Sequence, residues 1–128
     1  MSDIREGKVF LTNSWGEDLQ SVRVRHRRSN SREKEEHKLI NNVSKDAKNI
    51  FIMDITYDVS FWAPDFDYWW ILFNTNDWRT YTVKNNFWCN ITPSDDGNVS
   101  MLINGHLMHM SVDFSQSNLD LTSIYEIY

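Results

Sequence analysis

Turn-forming clusters recur along this chain at short intervals, and that spacing constrains its fold more than any other feature. They fall at residues 13–18 (NSWGED), 29–32, 44–48, 64–67, 74–77, 85–86, 93–98 and 104–105. Between them lie short runs rich in β-branched and aromatic residues, the pattern of a β-sandwich or barrel. Periodicity agrees. In residues 19–28, Val22, Val24 and His26 point one way while Ser21, Arg23, Arg25 and Arg27 point the other, which gives one dry face and one wet face. In residues 49–59, Phe51, Met53, Ile55, Tyr57 and Val59 share a face opposite Asp54, Thr56 and Asp58. Residues 68–74 are apolar on both faces, so that strand is either covered on both sides or lends one side to a ligand. Asn104-Gly105 suits the two-residue type I′ turn of a hairpin. Residues 32–40 are the one helix candidate, too short and polar to anchor a fold. The chain is therefore expected to be all-β, a single-domain antiparallel β-sandwich of about eight to ten strands spanning residues 1–128.

At 128 residues the chain has the size of one domain. Its 6 Trp, 7 Phe and 5 Tyr supply aromatic bulk for a core, and 4 Gly with 2 Pro argue against low complexity. No apolar run is long enough to cross a bilayer as a helix. The start MSDIREGK lacks the apolar segment of a signal peptide, and the single Cys89 can form no internal disulfide; both suit a cytoplasmic setting, or release without a conventional signal. Three glycosylation sequons, at Asn42, Asn90 and Asn98, are then incidental.

Charge is divided unevenly. Residues 1–50 hold 11 of the 13 Lys and Arg against 8 acids, a balance of +3, whereas residues 51–128 hold 2 bases against 10 acids, a balance of −8. The basic ribbon Arg23, Arg25 and Arg27 could contact an anion, or could simply pair with Asp54 and Asp58 on an adjoining strand. An overall charge of −5 argues against nucleic acid as the partner.

The most unusual stretch is residues 61–70, FWAPDFDYWW, in which six of ten side chains are aromatic. Pro64 and the acids make its first half a loop entering a strand, and loops run over surfaces. Exposed rings here would stack on sugars or sit at a lipid headgroup boundary. The candidate ligand-binding residues are Trp62, Asp65, Phe66, Asp67, Tyr68 and Trp70, with the two acids placed to meet hydroxyl groups. In the competing reading these rings fold back as core.

Catalytic and metal chemistry find little footing. His26, His37, His106, His109 and Cys89 stand at no zinc-site spacing, residues 95–98 (DDGN) lack the other ligands of a calcium loop, and no nucleophile elbow or phosphate-binding loop is present. The expectation is a protein without cofactor or catalytic residues.

Residues 9–19 (VFLTNSWGEDL) followed by 22–26 (VRVRH), then 67–73 (DYWWILF), 87–91 (FWCNI) and 95–97 (DDG), resemble the Up-in-Daf domain family, a resemblance that covers about half the chain. That resemblance implies a compact β-sandwich and brings no established catalytic residues. More distantly, the architecture is similar to the β-sandwiches of actinoporins and fungal fruit-body lectins, whose aromatic loops hold headgroups or glycans. The functional expectation is a non-enzymatic binding module for a glycan or lipid headgroup, such as a defence lectin or membrane-active toxin, with self-association open. The alternative is a small acidic interaction factor, such as an immunity or inhibitor protein, that blocks a basic protein partner.

Overall fold

The structure, a computed structural model, describes residues 2–117 and 120–128, and it is built almost wholly of strands. They are β1 (Ile4–Ser14), β2 (Leu19–Arg28), β3 (Glu35–Val43), β4 (Ile50–Asp58), β5 (Asp67–Thr75), β6 (Thr80–Val83), β7 (Asn98–Asn104), β8 (His109–Asp113) and β9 (Asp120–Ile127). They form one mixed sheet in the order β3-β2-β5-β6-β9-β8-β7-β1-β4. Strand β9 joins the two halves: its first residues pair with β8 and its last with β6. The end strands β3 and β4 approach one another, so the sheet nearly closes on itself. Pairing is antiparallel except between β1 and β7, which run parallel from Lys8 opposite Asn98 to Ser14 opposite Asn104.

Alternation explains the interior. Val22, Val24 and His26 of β2 and Trp69, Ile71 and Phe73 of β5 all point inward and are wholly buried. Val9 and Leu11 of β1, with Val99, Met101 and Ile103 of β7, cover them from the other half. The Trp69 indole Nε1 donates to the Cys89 carbonyl at 2.8 Å, so its one polar group is satisfied in the dry interior.

Three local readings are corrected. Phe51 does not share the inner face with Met53: β1 opposes Val9 to Met53 and Phe10 to Phe51, so Ile52 is the extra residue of a bulge. The bulge turns Phe51 outward against Phe10, with ring centroids 5.9 Å apart. The 32–40 helix candidate resolves into one 3-10 turn, Arg32–Lys34, followed by the polar edge strand β3, whose charged side chains suit an edge that faces water. The β7–β8 hairpin pairs Asn104 with His109, leaving a four-residue loop rather than a two-residue one. Its positive φ falls on Met108, while the Asn104 side-chain oxygen accepts from the amides of His106 and Leu107.

Gly105 is nonetheless required, for a different reason. A Cβ there would overlap the Trp15 carbonyl, because the two backbones run in contact where Gly105 N donates to Ser14 O. Gly105→Ala should destabilise the fold by about 1–3 kcal/mol, read as a lower urea midpoint. An unchanged midpoint would contradict this packing.

Candidate functional site

Loop 59–66, between β4 and β5, is braced at both ends. Asp58 at the end of β4 accepts from Ser60 N, Ser60 Oγ and Asp65 N. Burial alone would raise the Asp58 carboxyl, but these bonds hold it below its ordinary value. Asp65 in turn accepts from Lys34 Nζ at 2.8 Å and Ser29 Oγ at 2.6 Å, which keep its carboxyl low, and Arg28 Nη1 lies 3.5 Å away. Between the braces Ala63 takes a left-handed φ of +47° just before Pro64, an unfavourable conformation for a residue with a Cβ.

This bracing carries Phe61 and Trp62 into solvent. They are 86% and 79% exposed and form an edge-to-face pair with centroids 5.0 Å apart. Behind them Phe66, 46% exposed, stacks on Trp88, 54% exposed, at 5.6 Å. The aromatic loop is therefore largely open to water and does not fold back as core.

The other predicted residues separate by strand alternation. Asp67 is buried and cannot reach a surface ligand, which corrects its assignment to the exposed contact set. Its Oδ1 meets His26 Nε2 at 2.7 Å and its Oδ2 accepts from Ile91 N at 3.0 Å. Trp69 is core. Tyr68 and Trp70 lie partly buried on the outer face, opposite Arg27 and Arg25 of β2. The Arg25 guanidinium sits 4.6 Å from the Trp70 ring centroid, so that ring face is already occupied.

Asp54 and Asp58 are not partners of the arginine ribbon. β2 pairs with β3 and β5 rather than β4, and Asp54 bonds Lys8 at 2.7 Å. Arg27 instead meets Glu35 of β3 at 2.7 Å. Trp88 was not singled out from sequence as a surface residue. Alternation with buried Phe87 and Cys89 was the available signal.

Beneath this surface His26 is wholly buried between two carboxylates: Nδ1 is 2.6 Å from Glu36 Oε1 and Nε2 is 2.7 Å from Asp67 Oδ1. Both ring nitrogens donate only in the imidazolium. Burial opposes that charge, yet the hydrogen bonds and charges of Asp67 and Glu36 prevail and raise the His26 pKa. Glu36 also accepts from the amide and hydroxyl of Thr56 on β4, bridging the two end strands. Sealed in this way, His26 has no access to a substrate and serves the fold.

The remaining candidates are bland. Burial pushes the Cys89 thiol up to about 12, far from a reactive thiolate. Asp95, held at about 2, ties residues 92–95 to residues 116–117: burial would raise it, but Ser117, Thr92 and Gln116 donate to it. Among the described residues no group of three or more His, Cys, Asp and Glu is arranged to hold a metal, and no helix is long and apolar enough to cross a membrane. The chain matches no model of a known protein family, and no curated protein shows significant similarity to it.

The pH dependence of stability follows from the two shifts. His26 is raised, so its contribution is complete below its ordinary 6.5 and lost as pH rises through the higher folded value. Glu36 is lowered, although burial opposes this, because His26 and Thr56 bond its charged form; its contribution is complete above 4.5 and lost as pH falls through the lower folded value. Urea midpoints should therefore be highest between 4.5 and 6.5. Glu36→Gln should lower that plateau and weaken the acid-side decline. A profile identical to wild type would contradict the clasp.

Proposed function

We propose that this chain is a non-enzymatic binding module that engages the headgroup region of a lipid surface through Phe61 and Trp62. The observation that carries this reading is the braced loop: two carboxylates fix the backbone while Phe61 and Trp62 stand in water. An apolar pair held out in this way implies a partner that covers it. Indole suits the headgroup boundary, because its ring is apolar and its N–H finds an acceptor in the wet layer.

A glycan ligand is less well supported. Sugar recognition needs polar groups beside the ring, and the acids read for that role are committed, Asp67 to His26 and Ile91, Asp65 to Ser29 and Lys34. The Phe66–Trp88 stack is a flat aromatic platform that would suit a sugar.

Burying an aromatic side chain contributes about 1.5–3 kcal/mol, so two rings alone support binding only of roughly millimolar strength. The attachment is reversible and gains from any second contact. Trp62→Ala should weaken partitioning onto phosphatidylcholine vesicles by about tenfold or more, measured by sedimentation, without moving the urea midpoint. Unaltered partitioning in the Phe61→Ala/Trp62→Ala double variant overturns the reading. Failure on vesicles together with capture on a glycan array transfers the function to sugars.

A further inference from the structure

The arginine ribbon lies apart from the loop tip, on the outer face of β3, β2 and β5. Register brings three cross-strand rows together there: Leu39–Arg23–Leu72, His37–Arg25–Trp70 and Glu35–Arg27–Tyr68. They enclose a groove of about 210 Å³ lined by Arg23, Arg25, Arg27, Glu35, His37 and Trp70. Small-molecule sites commonly occupy roughly 300–1,000 Å³, so this groove suits one small polar group rather than a whole sugar or nucleotide.

Its charge is unbalanced. Glu35 is the only carboxylate in the lining, and it is already shared, accepting from Arg27 Nε at 2.7 Å and lying 2.8 Å from His37 Nδ1. Among the described residues neither Arg23 nor Arg25 has an acidic partner within salt-bridge distance. Same-face neighbours on a strand stand about 6–7 Å apart, so three guanidinium groups repel along the row. Burial, then the charge of Arg27, makes the Arg25 guanidinium easier to deprotonate; Glu35 opposes this and Arg32 adds to it.

Arg25 is also held in place before any ligand arrives. Trp70 lies against its guanidinium, Nη2 donates to Asn85 Oδ1, and Nε is buried with no acceptor. A buried guanidinium N–H without an acceptor is costly.

We propose that this groove is a binding site for a phosphate monoester. A tetrahedral dianion offers oxygens to two or three guanidinium groups together, whereas a planar carboxylate is satisfied by one. The two sources of such a group are a soluble phosphate ester and a lipid headgroup such as phosphatidic acid. The site rests on the β2–β3–β5 face alone and stands whether or not the aromatic loop enters a membrane.

Titration with glycerol phosphate, followed by the Arg Nε–H signals in NMR spectra, is the direct test. Saturable shifts of Arg25 are expected, with affinity falling about tenfold or more in Arg25→Gln and unchanged in Lys48→Gln. Arg23→Gln, at an exposed and unpaired side chain, repeats the test without disturbing the Trp70 stack. Absence of saturable shifts in the wild-type protein overturns the proposal, as does equal binding by all three variants, which indicates an adventitious ion only.

Vesicles separate the sources. For a lipid headgroup, phosphatidic acid strengthens binding over phosphatidylcholine alone and Arg25→Gln removes that increment. For a soluble ester, glycerol phosphate binds and phosphatidic acid adds nothing. Trp62→Ala keeps glycerol phosphate binding in both cases, so loss of the loop function and loss of this site read out separately.

Discussion

An imidazolium sealed between two carboxylates sets the terms for the rest of this molecule. His26 comes from β2, Glu36 from β3 and Asp67 from β5, and Glu36 continues to Thr56 on β4. Four strands thus meet through one proton-bearing ring in the interior. Such a group adds little net stability, because desolvation consumes most of the attraction, but stripping away one partner leaves a buried charge uncompensated at a cost of about 3–5 kcal/mol. A one-residue slip of β2 against either neighbour would carry His26 to the wet face and strand both acids. The clasp therefore selects a single register, and that register lines up Arg23, Arg25 and Arg27 with Leu72, Trp70 and Tyr68 outside. It also ties the two end strands through side chains, so their facing edges are less open to pairing with another chain.

The surface features depend on that rigidity in different ways. Loop 59–66 follows Asp58, two residues past the Thr56 that Glu36 holds, and leads into Asp67, itself a member of the clasp. Its rings can be exposed because its backbone is anchored by charge and hydrogen bonds rather than by burying those rings. The groove needs no such device. It follows from two adjacent strands that present an arginine and a tryptophan at the same height.

Much of the architecture was legible in the residues. The alternation in 19–28 placed His26 inward, and the doubly apolar 68–74 run marked a strand covered on both sides or lending one side to a ligand; in the fold one face is buried and the other partly covered. What stayed hidden was set by partners distant in sequence. An acid inside an aromatic loop reads as a surface group, and only His26, 41 positions away, shows why Asp67 is buried. The pairing expected between the arginines and Asp54 or Asp58 failed because strand adjacency is not written into charge patterns. Ile52 looks ordinary, yet the bulge there reverses Phe51. Strand β3 carried no apolar alternation, since an edge strand facing water has little to bury, and so its segment was weighed as a helix. At the candidate site Trp62 and Phe66 were readable as exposed from Pro64 and the acids around them, whereas Trp88 was obscured by its two core neighbours.

Strand β1 is flanked by β4 on one side and by β7 on the other, and the latter contact is parallel. During synthesis its second edge has no mate until residues 98–104 have left the ribosome. The nascent chain must keep Val9 and Leu11 available, and protected from wrong pairings, through most of its own translation. The β1–β7 pairing is therefore a late, long-range event, which places the chain among slow-folding topologies and makes its unfinished forms the stage at which a chaperone would matter most.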